Sequence, residues 1–135
     1  MRLTVLSIVL FSAATVFAGD LAVKKEFHAL IADDGIQRVE IIGGNYFYDP
    51  NYIIVKKDVP VELIVMKKRG IVPHNIVIKE TGADIVFKED IGSDKKIIRF
   101  TPKKAGRFFF SCDKKLLFFK SHREKGMEGI IEVID

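Results

Sequence analysis

A small set of potential metal ligands lies near the C-terminal end of the chain. The sequence contains one Cys, three His and three Met, and three of these residues follow the pattern C-x9-H-x4-M as Cys112, His122 and Met127. His74 lies upstream in the segment GIVPHNIVI. Two imidazoles, a Cys thiolate and a weak axial Met are the ligands of mononuclear blue-copper sites, and thiolate and thioether sulfur favour Cu(I). The residue types therefore predict a site formed by His74, Cys112, His122 and Met127.

Each of these residues also has an explanation without a metal. A single Cys cannot form an intrachain disulfide, so the thiol is a metal ligand, part of an intermolecular bond, a reactive group or an inert buried side chain. His74 alone fits an ordinary position at the edge of a strand. Met127 follows Gly126, and Gly129 comes soon after it. This spacing indicates a tight turn that aims the Met side chain, which favours a ligand over a core residue.

The first eighteen residues have the features of an export signal. Arg2 gives a positive start, residues 3–16 form an apolar stretch, and Val16-Phe17-Ala18 resembles a small-residue cleavage site. The stretch is shorter than the roughly 20 apolar residues that a bilayer-spanning helix needs. We therefore expect cleavage after Ala18, a periplasmic or secreted location and no stable membrane insertion. Residues 19–36 are mixed in composition and form an N-terminal arm, either loosely held or as a short helix.

The positive charge of the chain is concentrated around the candidate ligands. The net charge is +4 at pH 7, which is too small to indicate a nucleic-acid-binding protein. Two explanations are open for the basic segment between Cys112 and Met127: a solvated loop, or a docking surface for an acidic partner. The basic residues of that segment are Lys114, Lys115, Lys120, Arg123 and Lys125.

The elements that must position these residues are short strands. From Gln37 onward, β-branched and aromatic runs alternate with turn residues, and no long amphipathic helix separates them. This pattern predicts an all-β Greek-key sandwich of about seven to eight strands. A short helix fits within residues 113–121, where Leu116 and Phe119 have helical spacing. The predicted strands are Gln37–Ile42, Tyr52–Val55, Val61–Met66, Asn75–Lys79, Lys96–Phe100, Arg107–Ser111 and Glu128–Ile134.

Four segments together resemble the cupredoxin family. NYFYDPNYIIVKKDVPVELIV is similar to its opening strands, VPHNIVI to the segment of the first His ligand, FTPKKAGRFFFSC to the Cys strand, and HREKGMEGIIEV to the closing His, Met and strand. The resemblance implies a cupredoxin-like domain over residues 37–135, with one copper ion held by His74, Cys112 and His122. Met127 would be the axial ligand, and Pro73 and Asn75 would support the site, with Asn75 bracing the Cys loop.

One feature departs from the family pattern. Nine residues separate Cys112 from His122, whereas familiar blue-copper proteins have about two to four. The segment 113–121 accounts for the difference, and its apolar residues, Leu116 to Phe119, are by default packing residues under the loop. The alternative is an exposed apolar patch at the metal end.

The resemblance implies a carrier of electrons, not an enzyme. The expected partner is a redox protein with an acidic docking face, such as a cytochrome or an oxidase subunit. A second hypothesis is a periplasmic copper carrier or sensor that uses the same ligands. A third is a metal-free sandwich that acts as an interaction module with an inert Cys112.

Overall fold

The computed structural model describes residues 23–135, which form a sandwich of two β-sheets. The predicted signal segment, residues 1–18, lies outside the described residues. The first sheet has six strands in the order β1-β4-β10-β9-β6-β7, and the second has four in the order β3-β2-β5-β8. The ten strands are β1 (Glu26–His28), β2 (Gln37–Gly44), β3 (Phe47–Asp49), β4 (Tyr52–Lys56), β5 (Val61–Lys67), β6 (His74–Glu80), β7 (Ile85–Ile91), β8 (Lys96–Phe100), β9 (Gly106–Ser111) and β10 (Glu128–Ile134).

Alternating side chains of the two sheets form one core between them. In β5, Val61, Leu63 and Val65 are buried and their neighbours are partly exposed, which is the period-2 pattern of a strand with one face on the core. Phe110 of β9 packs edge-on against Tyr48 of β3, with ring centroids 5.1 Å apart. Both rings are fully buried. This contact joins the two sheets close to Cys112, which follows Phe110 by two positions.

The all-β sandwich predicted from the sequence is confirmed, and all seven predicted strands are present. Three further strands were not predicted: β1, β3 and β7. β1 belongs to the N-terminal arm and pairs in parallel with β4 at the edge of the first sheet. All three of its side chains are exposed, so the alternation of buried and exposed residues that identifies a strand in a sequence is absent there.

The helix considered within residues 113–121 does not form. In the described part of the chain, the helical residues are the single 3₁₀ turn Thr81–Ala83. Leu116 and Phe119 are exposed, so the apolar face of a helix would have no surface to pack on. Leu117 has a positive φ of 45°, which also interrupts a right-handed helix.

Candidate metal centre

Three buried ligand atoms meet at one end of the sandwich. His74 is the first residue of β6, and Cys112 follows the last residue of β9. Because β6 and β9 are antiparallel neighbours, the start of one lies at the same end of the sheet as the end of the other. His122 comes from the loop before β10. Nδ1 of His122 lies 3.1 Å from Nδ1 of His74 and 3.3 Å from Sγ of Cys112.

These distances fit a single metal ion. All three ligand atoms lie within 4.8 Å of one another, and each side chain is at least 96% buried. Two ligands bound to one ion at about 2.0–2.3 Å, as His and Cys are in tetrahedral zinc sites, lie roughly 3–4 Å apart. The combination of two imidazoles with one thiolate is that of a blue-copper site, and both imidazoles turn their Nδ1 atoms toward the cluster.

Met127 is hydrogen-bonded through its backbone to two of these residues, Cys112 and His122. Its carbonyl accepts a hydrogen bond from the backbone N–H of Cys112 at 3.0 Å, and its N–H donates to the carbonyl of His122 at 3.0 Å. The side chain is fully buried, and its methyl carbon lies 3.4 Å from where a Cβ would stand on Gly43. Gly126 has a φ of +92°, which turns the chain immediately before Met127. The structure therefore places Met127 in the core next to the Cys112 and His122 segments, and its role as an axial ligand stays a prediction.

Asn75 ties the first His ligand to the Cys loop. Its backbone N–H donates to Sγ of Cys112 at 3.4 Å. Its side-chain Nδ2 donates to Oδ1 of Asp113 at 2.6 Å, and its Oδ1 accepts from the N–H of Asp113 at 3.0 Å. The hydroxyl of Tyr48 donates to the Asn75 carbonyl at 2.5 Å. Four hydrogen bonds thus fix the residue between the two ligand segments, which restricts their movement when a metal is bound or lost.

The long segment between Cys112 and His122 is an outward excursion from a short ligand loop. The N–H of His122 donates to the carbonyl of Lys114 at 2.9 Å, which closes the neck of a loop formed by residues 115–121. We call these residues the excursion. Only Asp113 and Lys114 lie between Cys112 and the excursion. We call the backbone of Cys112 to Lys114, closed by the hydrogen bond to His122, the frame; its length is that of a two-residue gap between the Cys and His ligands. This geometry explains how His122 reaches the site across nine residues.

A capping box fixes the chain as it returns from the excursion. The N–H of Ser121 donates to Oε2 of Glu124 at 2.7 Å, and the N–H of Glu124 donates to Oγ of Ser121 at 3.2 Å. This reciprocal pair starts a tight turn whose first residue is His122. The S-x-x-E signature was present in the sequence, and it is the signal that could have supported His122 as a positioned ligand.

Tyr46 is a residue of the site that the sequence did not indicate. Its ring lies edge-on to both imidazoles, with centroid distances of 4.9 Å to His122 and 6.1 Å to His74. Nζ of Lys125 lies 4.2 Å from the ring centroid and 3.1 Å from the hydroxyl. The residue has a positive φ of 63°, which no local pattern predicts for Tyr. It partly covers the site from the side of the second sheet.

Burial keeps the two imidazoles neutral. It lowers the pKa of His74 to about 4, with a smaller contribution from the charge that His122 would carry. Burial also lowers the pKa of His122, and the charge of Lys125 adds to the effect. Burial raises the pKa of the Cys112 thiol, although hydrogen bonds from the backbone N–H groups of Asn75 and Lys114 partly offset this by lowering the pKa. At neutral pH both imidazoles are therefore ready to bind a metal, and the thiol loses its proton when the metal binds.

The surface around His122 is apolar and basic. The expectation that Leu116 to Phe119 pack under the loop is wrong, because all four side chains are exposed. Leu116 and Phe119 line one side of an open groove, and all four side chains project from the chain after it turns outward at Lys114. Pro73 is exposed as well and lines a groove together with His122. Among the basic residues, Lys114 pairs with Asp90 at 2.7 Å and Arg123 with Glu128 at 3.5 Å, whereas Lys115, Lys120 and Lys125 are exposed on the rim.

Comparisons with known proteins agree with this architecture. No family model matches the chain, and no curated protein matches it. Among solved structures, the metal-binding domain of the Cu(I)-exporting P-type ATPase CopA of Streptococcus pneumoniae, solved with Cu(I), is 27% identical. The match covers 83% of this chain and 98% of that domain with a TM-score of 0.64.

Two further neighbours extend the comparison. A copper-binding protein solved in its apo form is 21% identical, with 80% of this chain and 96% of that chain covered and a TM-score of 0.58. Auracyanin A, a blue copper protein of Chloroflexus aurantiacus, is 16% identical, with 74% and 100% covered and a TM-score of 0.56. The chain thus has the cupredoxin fold, and its buried cluster of His74, Cys112 and His122 fits a blue-copper-like site for one copper ion.

Proposed function

We propose that this protein is an exported mononuclear copper protein of the type 1 kind, which carries electrons and is not an enzyme. The observation that supports this most is the preassembled cluster of two neutral imidazoles and one thiol, with ligand atoms 3.1 and 3.3 Å apart in a buried position. His74, Cys112 and His122 would hold the copper, with Met127 as the axial ligand. Copper would supply a one-electron couple between Cu(I) and Cu(II).

Electron transfer is favoured when the ligands move little between the two oxidation states. Here the ligand segments are held by backbone bonds that do not depend on the metal. The N–H of Cys112 donates a hydrogen bond to the Met127 carbonyl, and the N–H of His122 donates to the Lys114 carbonyl. Asn75, in β6, is hydrogen-bonded to Cys112 and Asp113 of the Cys loop. The two sheets on either side supply the rigid support.

We propose that electrons enter and leave at the His122 edge. This residue is the ligand that lines the surface groove, together with Tyr46 and Lys125. The basic residues around it would favour a partner with an acidic docking face, as expected for a cytochrome or an oxidase subunit. Such complexes bury small interfaces and dissociate quickly.

Voltammetry of the copper-loaded protein tests this function. We expect a reversible one-electron wave, and we expect the reduced protein to pass its electron to an acidic cytochrome with a rate that falls as the salt concentration rises. Protein that binds copper but shows only slow, irreversible waves would contradict the role in electron transfer.

A copper carrier or sensor is the second candidate, and one observation favours it. The most similar of the neighbours described above is a domain of a Cu(I)-exporting ATPase, matched over almost its whole length. A carrier would hold Cu(I) in the same site and release it to another protein. Rapid transfer of Cu(I) to an apo-acceptor, combined with poor electrochemical reversibility, would support carriage over electron transfer. Metal-free protein isolated from copper-replete cells would instead support an interaction module.

A further inference from the structure

The excursion ends in four exposed apolar side chains. We call Leu116 to Phe119 the tip. Phe118 is 100% exposed, and the other three are between 62% and 75% exposed. Four consecutive large apolar residues on the surface are unusual, because burying one such side chain is worth about 1.5–3 kcal/mol. An exposed cluster of this kind indicates an interaction site.

A second loop at the same end of the sandwich adds to this surface. Ile71 is 99% exposed and Val72 is also exposed, just before the ligand His74. The two loops face each other across a groove of about 310 Å³, which Ile71 and Val72 line on one side and Leu116 and Phe119 on the other. This end of the sandwich therefore presents two exposed apolar loops side by side, the tip and the loop with Ile71 and Val72.

Cations surround the tip on both sides along the chain. Lys115 precedes it and Lys120 follows it, and both are exposed. Lys125 stands beside the groove, over Tyr46. Of the nearby carboxylates, Asp113 bonds Lys88 and Asn75. Glu124 accepts a hydrogen bond from Ser121 and keeps its negative charge near Lys115 and Lys120, so it offsets one of the three lysine charges. The surface thus combines apolar residues at its centre with positive charge at its rim.

We propose that the tip docks reversibly on an anionic lipid bilayer. Phe118 is exposed on all sides, so a partner must surround the ring to remove it from water. The acyl and headgroup region of a bilayer can surround a side chain without a matching shape, whereas a flat acidic protein surface would cover only one side of the ring. Leu and Phe beside Lys is also the composition of segments that bind at membrane interfaces, where the lysines contact anionic headgroups.

This docking goes beyond the proposed function and does not need copper. It involves residues 71, 72 and 115–120, and none of them is a candidate ligand. Docking would also orient the candidate metal site relative to the membrane, because the excursion that carries the tip ends at His122. With the tip in the headgroup layer, the His122 edge faces the membrane, where a membrane-embedded partner would exchange electrons or copper with it.

The absence of Trp from the chain allows a direct test. The variant Phe118→Trp places a single indole at the tip, and Phe109→Trp places one on the outer face of β9 as a matched control, since Phe109 is also exposed. Each copper-loaded protein is mixed with vesicles of phosphatidylcholine and phosphatidylglycerol in roughly a 7:3 ratio. We expect a blue shift of emission, and quenching by brominated lipid, for the indole of Phe118→Trp and neither effect for the control.

Sedimentation with the same vesicles measures the contribution of each part. Phe118→Ser should weaken vesicle binding roughly tenfold or more, because the variant no longer buries a Phe side chain in the bilayer. Lys115→Gln with Lys120→Gln should weaken it about 25-fold, since each lysine near an anionic surface contributes about a factor of five. Phe109→Ser should bind as the wild type does.

Two results would overturn the proposal. One is equal binding of wild type and Phe118→Ser, which would place the contact elsewhere in the chain. The other is a blue shift of the Phe118→Trp emission with an acidic cytochrome but not with anionic vesicles, which would make the tip a protein-docking site. Copper content and voltammetry of the same variants should be unchanged, so failure of this proposal is distinguishable from failure of the proposed function.

Discussion

Shortening the excursion tests whether His122 is held by the frame or by the long loop itself. The change replaces Lys115–Lys120 by Gly-Gly and keeps Ser121. Three residues then separate Lys114 from His122, which is the spacing at which a carbonyl and an N–H close an α-turn. The hydrogen bond of 2.9 Å between Lys114 and His122 is therefore compatible with the shorter chain. The capping box of Ser121 and Glu124 is also kept.

The expected cost in stability is small. Every replaced residue is exposed, so no buried contact is lost. Reducing the closed loop from seven residues to three lowers the entropy cost of closure by about 0.7 kcal/mol. Two glycines oppose this gain, because each loses more backbone entropy on folding than other residues, by about 0.5–1 kcal/mol. The free energy of unfolding should therefore stay within about 1 kcal/mol of the wild-type value.

Chemical denaturation of the metal-free protein and copper stoichiometry of the loaded protein measure the outcome. We expect one copper per chain and an unchanged visible spectrum. A variant in which the same six residues become alternating Gly and Ser is the control, because it keeps the length and removes only the apolar and charged side chains. If the shortened protein folds but binds no copper while this control does, the excursion itself holds His122 and the frame does not.

Three further predictions concern the surroundings of the ligands. Asn75→Ala removes two side-chain hydrogen bonds to Asp113 and should lower the free energy of unfolding by about 2 kcal/mol; an effect below about 0.5 kcal/mol in denaturant titrations would show that Asn75 does not brace the loop. Gly129→Ala brings a Cβ to within 2.3 Å of Phe110 Cζ and should cost about 1–3 kcal/mol or more, whereas a neutral result would mean that β9 and β10 separate easily. Because burial keeps the Cys112 thiol protonated in the metal-free protein, Cu(I) affinity should rise about tenfold per pH unit between roughly pH 6 and 8; affinity independent of pH in competition titrations would argue against thiolate ligation.

The positions of Cys112 and His74 could be predicted because each lies at the end of a strand with a clear local pattern. FTPKKAGRFFFSC reads as a strand that delivers its last residues to one end of the sandwich, and VPHNIVI reads as the start of another. In an antiparallel pair such ends lie at the same end of the sheet, but the pairing of β6 with β9 comes from the assembled fold, since β7 and β8 lie between them in the chain. The Greek-key sandwich followed from the same alternation of apolar runs and turns.

The loop between Cys112 and His122 could not be predicted to the same extent. Leu116 to Phe119 are apolar, and apolar residues by default pack inside, so the sequence favoured a covered loop. Their exposure depends on the hydrogen bond between Lys114 and His122, which closes the neck and turns the intervening residues outward. No residue pattern marks such a closure in advance.

Tyr46 and strand β7 were missed for different reasons. Tyr46 contacts residues that are 28 and 76 positions away in sequence, so only the assembled sandwich brings them together. β7 alternates weakly, with Phe87 only partly buried and Lys88 to Asp90 supplying charge in the middle of the strand. A strand at the edge of a sheet buries less, and its pattern is correspondingly faint.

The spectrum of the copper-loaded protein and of Cys112→Ser tests the central claim most directly. With one Cu(II) bound by His74, Cys112 and His122, the wild type should hold one copper per chain and absorb strongly in the visible region through thiolate-to-copper charge transfer. In Cys112→Ser this band should be absent. An unchanged spectrum in Cys112→Ser, or wild-type protein that takes up no copper, would contradict the assignment of the site.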